Sequence, residues 1–79
     1  MYKESLRFRE FLDLLITDNT AYIRDCSQRK DDVLLMAVSL NQNTPMDIIK
    51  YLITIKDIKN AKIIRTNAER LKKRVAKLF

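Results

Sequence analysis

The sequence predicts an all-α protein, and three observations lead to this prediction. Glycine is absent from the 79 residues, and proline occurs once, at Pro45. A β-rich fold of this size needs several tight turns with positive φ, which glycine normally supplies. Apolar residues recur at spacings of three and four, and capping residue types precede helix-length segments. We therefore expect one domain over residues 1–79, folded as a compact bundle of four to five helices or as a short α-solenoid, with a long basic amphipathic C-terminal helix.

Five candidate N-cap residues mark the predicted helix starts, and they lie thirteen residues apart: Ser5, Asp18, Asp31, Thr44 and Asp57. Each has a side-chain oxygen that can accept a hydrogen bond from a backbone amide in the first helical turn. At the fourth, proline follows at the first helical position, and an acid stands where a capping box needs one. Two interpretations stay open. The spacing is either a coincidence of common residue types or a helix-pair unit of 26 residues, as in an α-solenoid fragment.

The apolar positions indicate which helix faces are buried. The segment from Asp31 to Leu40 is apolar nearly all round, which is typical of a central, buried helix. The segment from Asp18 to Lys30 has fewer apolar residues. The first predicted helix has a stripe of Leu6, Phe8, Phe11, Leu12 and Leu15, and the fourth has Ile48, Ile49, Leu52, Ile53 and Ile55.

The corner Asn41-Gln42-Asn43-Thr44-Pro45, followed by Ile48, Ile49 and Leu52, resembles the variant leucine-rich repeat family. Repeats of that family are short helical units with an Asn-x-x-Thr-Pro corner before a Leu-rich helix. The resemblance covers about one unit, residues 34–57. It implies a stacked helical architecture that is used for macromolecular contacts. The iron–sulfur domain of one such family needs a cysteine cluster, which this chain lacks.

The C-terminal segment, residues 57–79, predicts one continuous amphipathic helix. An apolar seam follows it at alternating spacings of three and four. The seam either covers the protein's own core or pairs two copies of the chain in a homodimer with coiled-coil-like packing. The seam consists of Ile58, Ala61, Ile64, Ala68, Leu71, Val75 and Leu78.

The same segment holds all the excess positive charge of the chain. Its eight lysines and arginines stand against Asp57 and Glu69, a net charge of +6 that equals the net charge of the whole chain. Cations near a helix C-terminus interact favourably with the helix dipole, which accounts for the cations in the last turns. The dipole accounts less well for the cations in the first turns of the predicted helix. We therefore expect this face to bind a partner. The candidate binding residues are Lys59, Lys62, Arg65, Arg70, Lys72, Lys73, Arg74 and Lys77.

Another protein is the favoured partner, and nucleic acid is the alternative. For a protein partner, exposed aromatic residues would be the anchors, with Tyr22, Tyr51 and Phe79 as candidates. Nucleic acid would be held through phosphate contacts with little base readout, because the basic face offers only Thr66 to reach base edges. A membrane surface is disfavoured, since the apolar face lacks aromatic residues except at the C-terminus.

Catalysis is not expected of this chain. Histidine is absent, and without glycine there is no P-loop, dinucleotide fingerprint or nucleophile elbow. The neighbouring Asp31 and Asp32 are interpreted as a cap and a first-turn acid. Cys26 is either a structural residue or a thiol made acidic by nearby cations. We expect no enzyme, no metal site and no cofactor.

The remaining features favour a cytoplasmic protein. A single cysteine excludes an intramolecular disulfide, and no signal peptide follows Met1. The longest apolar run, Val33 to Val38, is far shorter than the roughly 20 residues that span a bilayer. Small chains rich in Lys, Ile and Asn resemble accessory factors of phages or mobile elements. We therefore expect a regulatory or accessory protein.

Overall fold

The computed structural model describes the backbone of residues 2–78 and the side chains of residues 8–77. The chain forms five α-helices: α1 (Tyr2–Ile16), α2 (Thr20–Ser27), α3 (Asp32–Leu40), α4 (Met46–Ile53) and α5 (Ala61–Leu78). No strand occurs in the described backbone. The prediction of an all-α fold with up to five helices is confirmed.

Side-chain caps start two of the helices. The carboxylate of Asp31 accepts hydrogen bonds from the amides of Val33 (2.9 Å) and Leu34 (3.3 Å), as predicted. For α2 the cap is Asn19, whose side-chain oxygen accepts from the amide of Tyr22 at 3.1 Å. The cap predicted at Asp18 is therefore wrong by one residue.

The other three predicted caps are wrong, and each has a different reason. Ser5 lies inside α1, which already begins at Tyr2. Thr44 is buried, and its hydroxyl donates to the carbonyl oxygen of Val38 at 2.7 Å instead of accepting from α4. The backbone of Asp57 is left-handed, with a φ of 65°, and α5 begins only at Ala61. The thirteen-residue spacing is thus not kept by the helices.

Helices α1, α3 and α5 lie side by side and run in the same direction. Arg29, just before α3, pairs with Glu10 in the middle of α1, whereas Asn41, just after α3, bonds to carbonyls at the end of α1. Asn60, just before α5, donates to the Asp32 carboxylate at the start of α3. Asn67, within α5, donates to the Ser39 hydroxyl near the end of α3. Helix α1 packs mainly against α3, and α5 packs against both α3 and α4.

Helices α2 and α4 form a second layer. The first packs against α3 and the second packs against α3 and α5. The Arg24 guanidinium on α2 joins the two by an ion pair of 2.6 Å to the Asp47 carboxylate on α4. The molecule measures 41 × 27 × 16 Å, and its smallest dimension fits two layers of helices whose axes lie roughly 8–10 Å apart.

The core lies between the two layers, with α3 at its centre as predicted. Five consecutive or nearly consecutive positions of α3 are buried, so only one side of this helix reaches solvent. The principal core residues are Leu14, Ile23, Cys26, Leu34, Leu35, Ala37, Val38, Ile48, Ile49, Leu52, Ile55, Ile64, Ala68 and Leu71.

The corner after α3 is held by two buried polar side chains. The amide nitrogen of Asn41 donates to the carbonyl oxygens of Leu14 (2.6 Å) and Thr17 (2.9 Å). Its side-chain oxygen accepts from the amide of Asn43 at 2.7 Å. The Thr44 hydroxyl closes the end of α3. These bonds satisfy backbone groups that would otherwise be buried without partners.

Three residues, in two of the connections, lie in the left-handed region without being glycine. They are Lys30 before α3, and Asp57 and Asn60 before α5, with φ values of 55°, 65° and 63°. Asn and Asp tolerate this region better than other residues with a β-carbon. None of the helices described above has the length and apolar character needed to cross a membrane.

Candidate functional site

The apolar seam of α5 covers the protein's own core. Ile64, Ala68 and Leu71 are buried, and Ala61 and Val75 are half-buried against the same core. Ile58 also packs on the core, although it precedes the helix. Leu78 lies outside the described side chains. The first of the two uses predicted for the seam is therefore the observed one. A homodimer stays a prediction, and the buried seam residues are not accessible to it in this fold.

Most of the predicted binding cations are exposed. Lys62 and Lys73 point away from the core, since they lie about half a turn from Ile64 at roughly 100° per residue. Within residues 8–77, no α5 cation forms an ion pair with a carboxylate. The positive face is therefore not neutralised by that part of the chain. The exposed members are Lys59, Lys62, Arg70, Lys72, Lys73, Arg74 and Lys77.

Two of the eight predicted cations differ from the expectation. Lys59 lies in the connection before α5, because the helix begins at Ala61 and not at Asp57. Arg65 is half-buried, and its guanidinium donates to the carbonyl oxygen of Ile55 at 2.7 Å. Arg65 therefore holds the start of the α4–α5 connection and is a structural residue.

A groove runs between the end of α3 and the C-terminal half of α5. It consists of two hollows, of about 100 Å³ and about 250 Å³, that share Leu71 and Arg74. Buried Leu71 and half-buried Val75 belong to the apolar part of the lining, and Leu40 is 47% exposed beside them. Arg70 and Arg74 stand at its border. We call this the α3–α5 groove; it is lined by Ser39, Leu40, Gln42, Asn67, Arg70, Leu71, Arg74 and Val75.

A row of residues along α5 continues the groove. Its members alternate at spacings of four and three, so they follow one line on the helix surface. Ile63, at one end of the row, is 51% exposed. The row comprises Ile63, Asn67, Arg70, Arg74 and Lys77.

The predicted aromatic anchors lie elsewhere. Tyr22 is half-buried and packs on the core. Tyr51 is exposed, and it lines a separate open hollow of about 350 Å³ between α2 and α4, next to the Arg24–Asp47 pair. The guanidinium of Arg24 lowers the pKa of Asp47 by hydrogen bonding and charge. Phe79 lies outside the described residues.

Helix α1 exposes apolar residues that the sequence placed in the core. Phe8 is 61% exposed and Leu12 is also exposed, although both belong to the predicted buried stripe. Leu14, which that stripe omits, is fully buried, and Ile16 is 81% exposed. Phe11 and Leu15 of the stripe do pack on the core, and Leu6 lies outside the described side chains. The predicted stripe is therefore right only in part, because apolar residues occupy several sides of this helix and spacing alone does not select one.

Cys26 is a buried thiol. Desolvation raises its pKa, and this effect exceeds the opposing hydrogen bond and charge of Arg29. The geometry thus disfavours the thiolate that a reactive cysteine needs. Among the described residues, no group of three or more potential ligands is placed to hold a metal ion.

No protein-family model, curated protein or solved structure matches the chain significantly. The resemblance of residues 34–57 to variant leucine-rich repeats stays a prediction.

Proposed function

We propose that the chain is a small non-enzymatic accessory or regulatory protein that binds another protein through α5 and the adjoining end of α3. The observation that supports this proposal is the meeting of exposed cations with an apolar groove on one side of the molecule. Protein surfaces combine carboxylates with apolar side chains, so they can match both features at once.

A solubilising role alone explains this surface less well. A soluble surface normally intersperses both signs of charge. From Lys59 to Lys77, seven exposed cations stand against the single acid Glu69. A face with one sign of charge attracts a partner of the opposite sign and speeds its approach.

Site-directed photocrosslinking in the cells that make the protein tests the proposal. A photoreactive phenylalanine derivative replaces Leu40 or Lys77 on the proposed surface, and Asp25 on α2 as a control. We expect protein adducts of one defined mass at Leu40 and Lys77, resistant to nuclease, and none at Asp25. Equal labelling at all three positions, or no protein adduct on α5, would contradict the proposal.

Nucleic-acid binding is the second candidate, favoured by the outward cations Lys62 and Lys73. Phosphate contacts would make the affinity steeply dependent on salt. Fluorescence anisotropy of labelled duplex DNA and RNA at about 50 and 200 mM salt tests this candidate. Binding that falls by orders of magnitude at the higher salt, and that Lys62→Glu with Lys73→Glu abolishes, would replace protein binding as the proposed function.

A further inference from the structure

We propose that the α3–α5 groove binds an acidic amphipathic helix of the partner protein. A leucine-like side chain would occupy the apolar hollow, and carboxylates on the same helix would pair with Arg70 and Arg74. This inference rests on the proposed function and names the part of the partner that the surface recognises.

The lining of the groove indicates an apolar anchor. The larger hollow, about 250 Å³, is formed by Leu71 and Val75 together with the stems of Gln42 and Arg74. Leu40 extends the apolar surface toward the smaller hollow. A partner side chain that covers this hydrocarbon surface removes it from water, which is favourable and independent of direction.

The division of the groove into two small hollows favours separate protruding side chains over one enclosed small molecule. Sites for small molecules and cofactors usually enclose roughly 300–1,000 Å³. The two hollows of the groove, about 100 and about 250 Å³, are each smaller than that range. Each is suited to one protruding side chain at most.

The two arginines at the border of the groove indicate which residues flank the apolar anchor on the partner helix. Arg70 and Arg74 are four residues apart, so they lie one helical turn from each other along the groove. Neither guanidinium is paired with a carboxylate within residues 8–77. A guanidinium binds a carboxylate through two parallel hydrogen bonds. Two acids one turn apart on a partner helix would meet both arginines.

The row along α5 indicates that the occupant is itself helical. From Ile63 to Lys77 the row is about 21 Å long at 1.5 Å per residue. A partner helix of about four turns covers that length, with apolar and acidic residues at matching spacings. Single-stranded nucleic acid fits the groove poorly, because its lining contains no aromatic ring on which bases could stack.

The test uses fluorescein-labelled helical peptides of 18 residues and the full chain. The first peptide has leucines on one face and glutamates on both flanks of that face. The second replaces the glutamates with glutamine, and the third replaces the leucines with serine. We expect the first peptide to bind at least about tenfold more tightly than either of the others, since the groove needs both the anchor and the acids.

Two double variants with the same change of net charge locate the binding site. Arg70→Glu with Arg74→Glu should weaken binding of the first peptide by at least about tenfold. Lys62→Glu with Lys73→Glu lies on the outward side of α5 and should weaken it by less than about threefold, through long-range charge alone. Circular dichroism melting of each variant confirms that it is folded. Leu40→Ser provides a third, uncharged test of the apolar anchor.

Three outcomes would overturn the inference: equal loss of affinity in both double variants, equal binding of the peptide without leucines, or no binding of the first peptide. The photocrosslinks separate this failure from failure of the proposed function. Adducts at Lys77 without peptide binding would leave protein binding in place and remove the groove as its site. Loss of the adducts as well would remove both.

Discussion

The side-chain nitrogen of Asn41 lies 2.6 Å from the carbonyl oxygen of Leu14, so a bond between residues 27 positions apart ties the end of α3 to the end of α1. Asn41 is 1% exposed, and both ends of its amide are bonded. This contact stabilises the parallel arrangement of α1 and α3, because the buried Leu14 carbonyl at the end of α1 would otherwise lack this donor.

Replacing Asn41 with alanine should therefore lower the free energy of unfolding by about 1–3 kcal/mol. Urea unfolding followed by circular dichroism measures the change. The matched control is Asn43→Ala, since Asn43 donates to the Thr17 carbonyl at 3.1 Å but is exposed to water. A smaller loss is expected there. Equal losses in the two variants would show that burial of the Asn41 bonds does not matter.

Thr44 allows a test of what its hydroxyl does. Aspartate is as good an N-cap as threonine or better, but its carboxylate cannot donate a hydrogen bond to the Val38 carbonyl. Thr44→Asp should therefore destabilise the protein by at least about 1–3 kcal/mol. Thr44→Ser keeps the donor and should cost less. Thermal unfolding of both variants decides the matter, and a neutral Thr44→Asp would restore Thr44 as the cap of α4.

Arg65 should matter for stability, whereas Lys62 should not. Arg65→Met removes the hydrogen bond to the Ile55 carbonyl and should lower the free energy of unfolding by about 1 kcal/mol. Lys62→Met changes the same net charge at an exposed position and should stay within about 0.5 kcal/mol of the unmodified protein. Chemical denaturation of the pair measures both. A larger effect at Lys62 would contradict the roles given to these two residues.

The Cys26 thiol should react slowly while the protein is folded. Its burial excludes reagents, and desolvation raises its pKa above the ordinary value. An aromatic disulfide reagent releases a coloured thiolate each time it reacts with a protein thiol. It should therefore label the native protein far more slowly than the protein unfolded in about 6 M guanidinium chloride. Equal rates in the two conditions would show that the thiol is accessible in the native state.

The Arg24–Asp47 pair should give a pH dependence with a definite sign. Because Arg24 lowers the pKa of Asp47 in the folded state, the pair stabilises the fold above the unfolded pKa of this carboxyl. That stability is lost as the pH falls through the lower, folded pKa. Carboxyl NMR titration should show the pKa of Asp47 rising in Arg24→Gln. Arg29→Gln, whose cation pairs with Glu10, should leave the pKa of Asp47 unchanged.

The sequence predicts α3 and the seam of α5 well, for physical reasons that are local. The sequence of α3 combines a capping aspartate with apolar residues on nearly every side. In the structure Asp31 caps the helix, and most of its apolar side chains are buried. The seam needs only the helical period, and burial follows that period from Ala61 to Val75. The predicted long helix loses four residues at its start, because Asp57 and Asn60 turn the chain before α5.

The features that sequence reasoning missed depend on contacts between distant residues. The period of α1 is satisfied by several faces, and packing against α3 selects the one with Leu14. The groove exists only because α3 ends, at Leu40, beside Arg70 and Arg74, which are distant in the sequence. Arg65 looks like its neighbouring cations until the Ile55 carbonyl is placed next to it. The sequence places Asn41 in a corner, but it does not indicate the two carbonyls to which the Asn41 side chain donates.

The connections without glycine have a consequence for recognition. Residues with a β-carbon occupy a small left-handed region, where glycine would have several broad ones. Lys30, Asp57 and Asn60 therefore restrict how far the helices can swing about these joints. The three parallel helices should present an already shaped platform, with adjustment left to side chains such as Arg70 and Arg74. A partner that binds helices already held in place loses little backbone conformational entropy of this protein. A modest contact area can therefore still give measurable affinity.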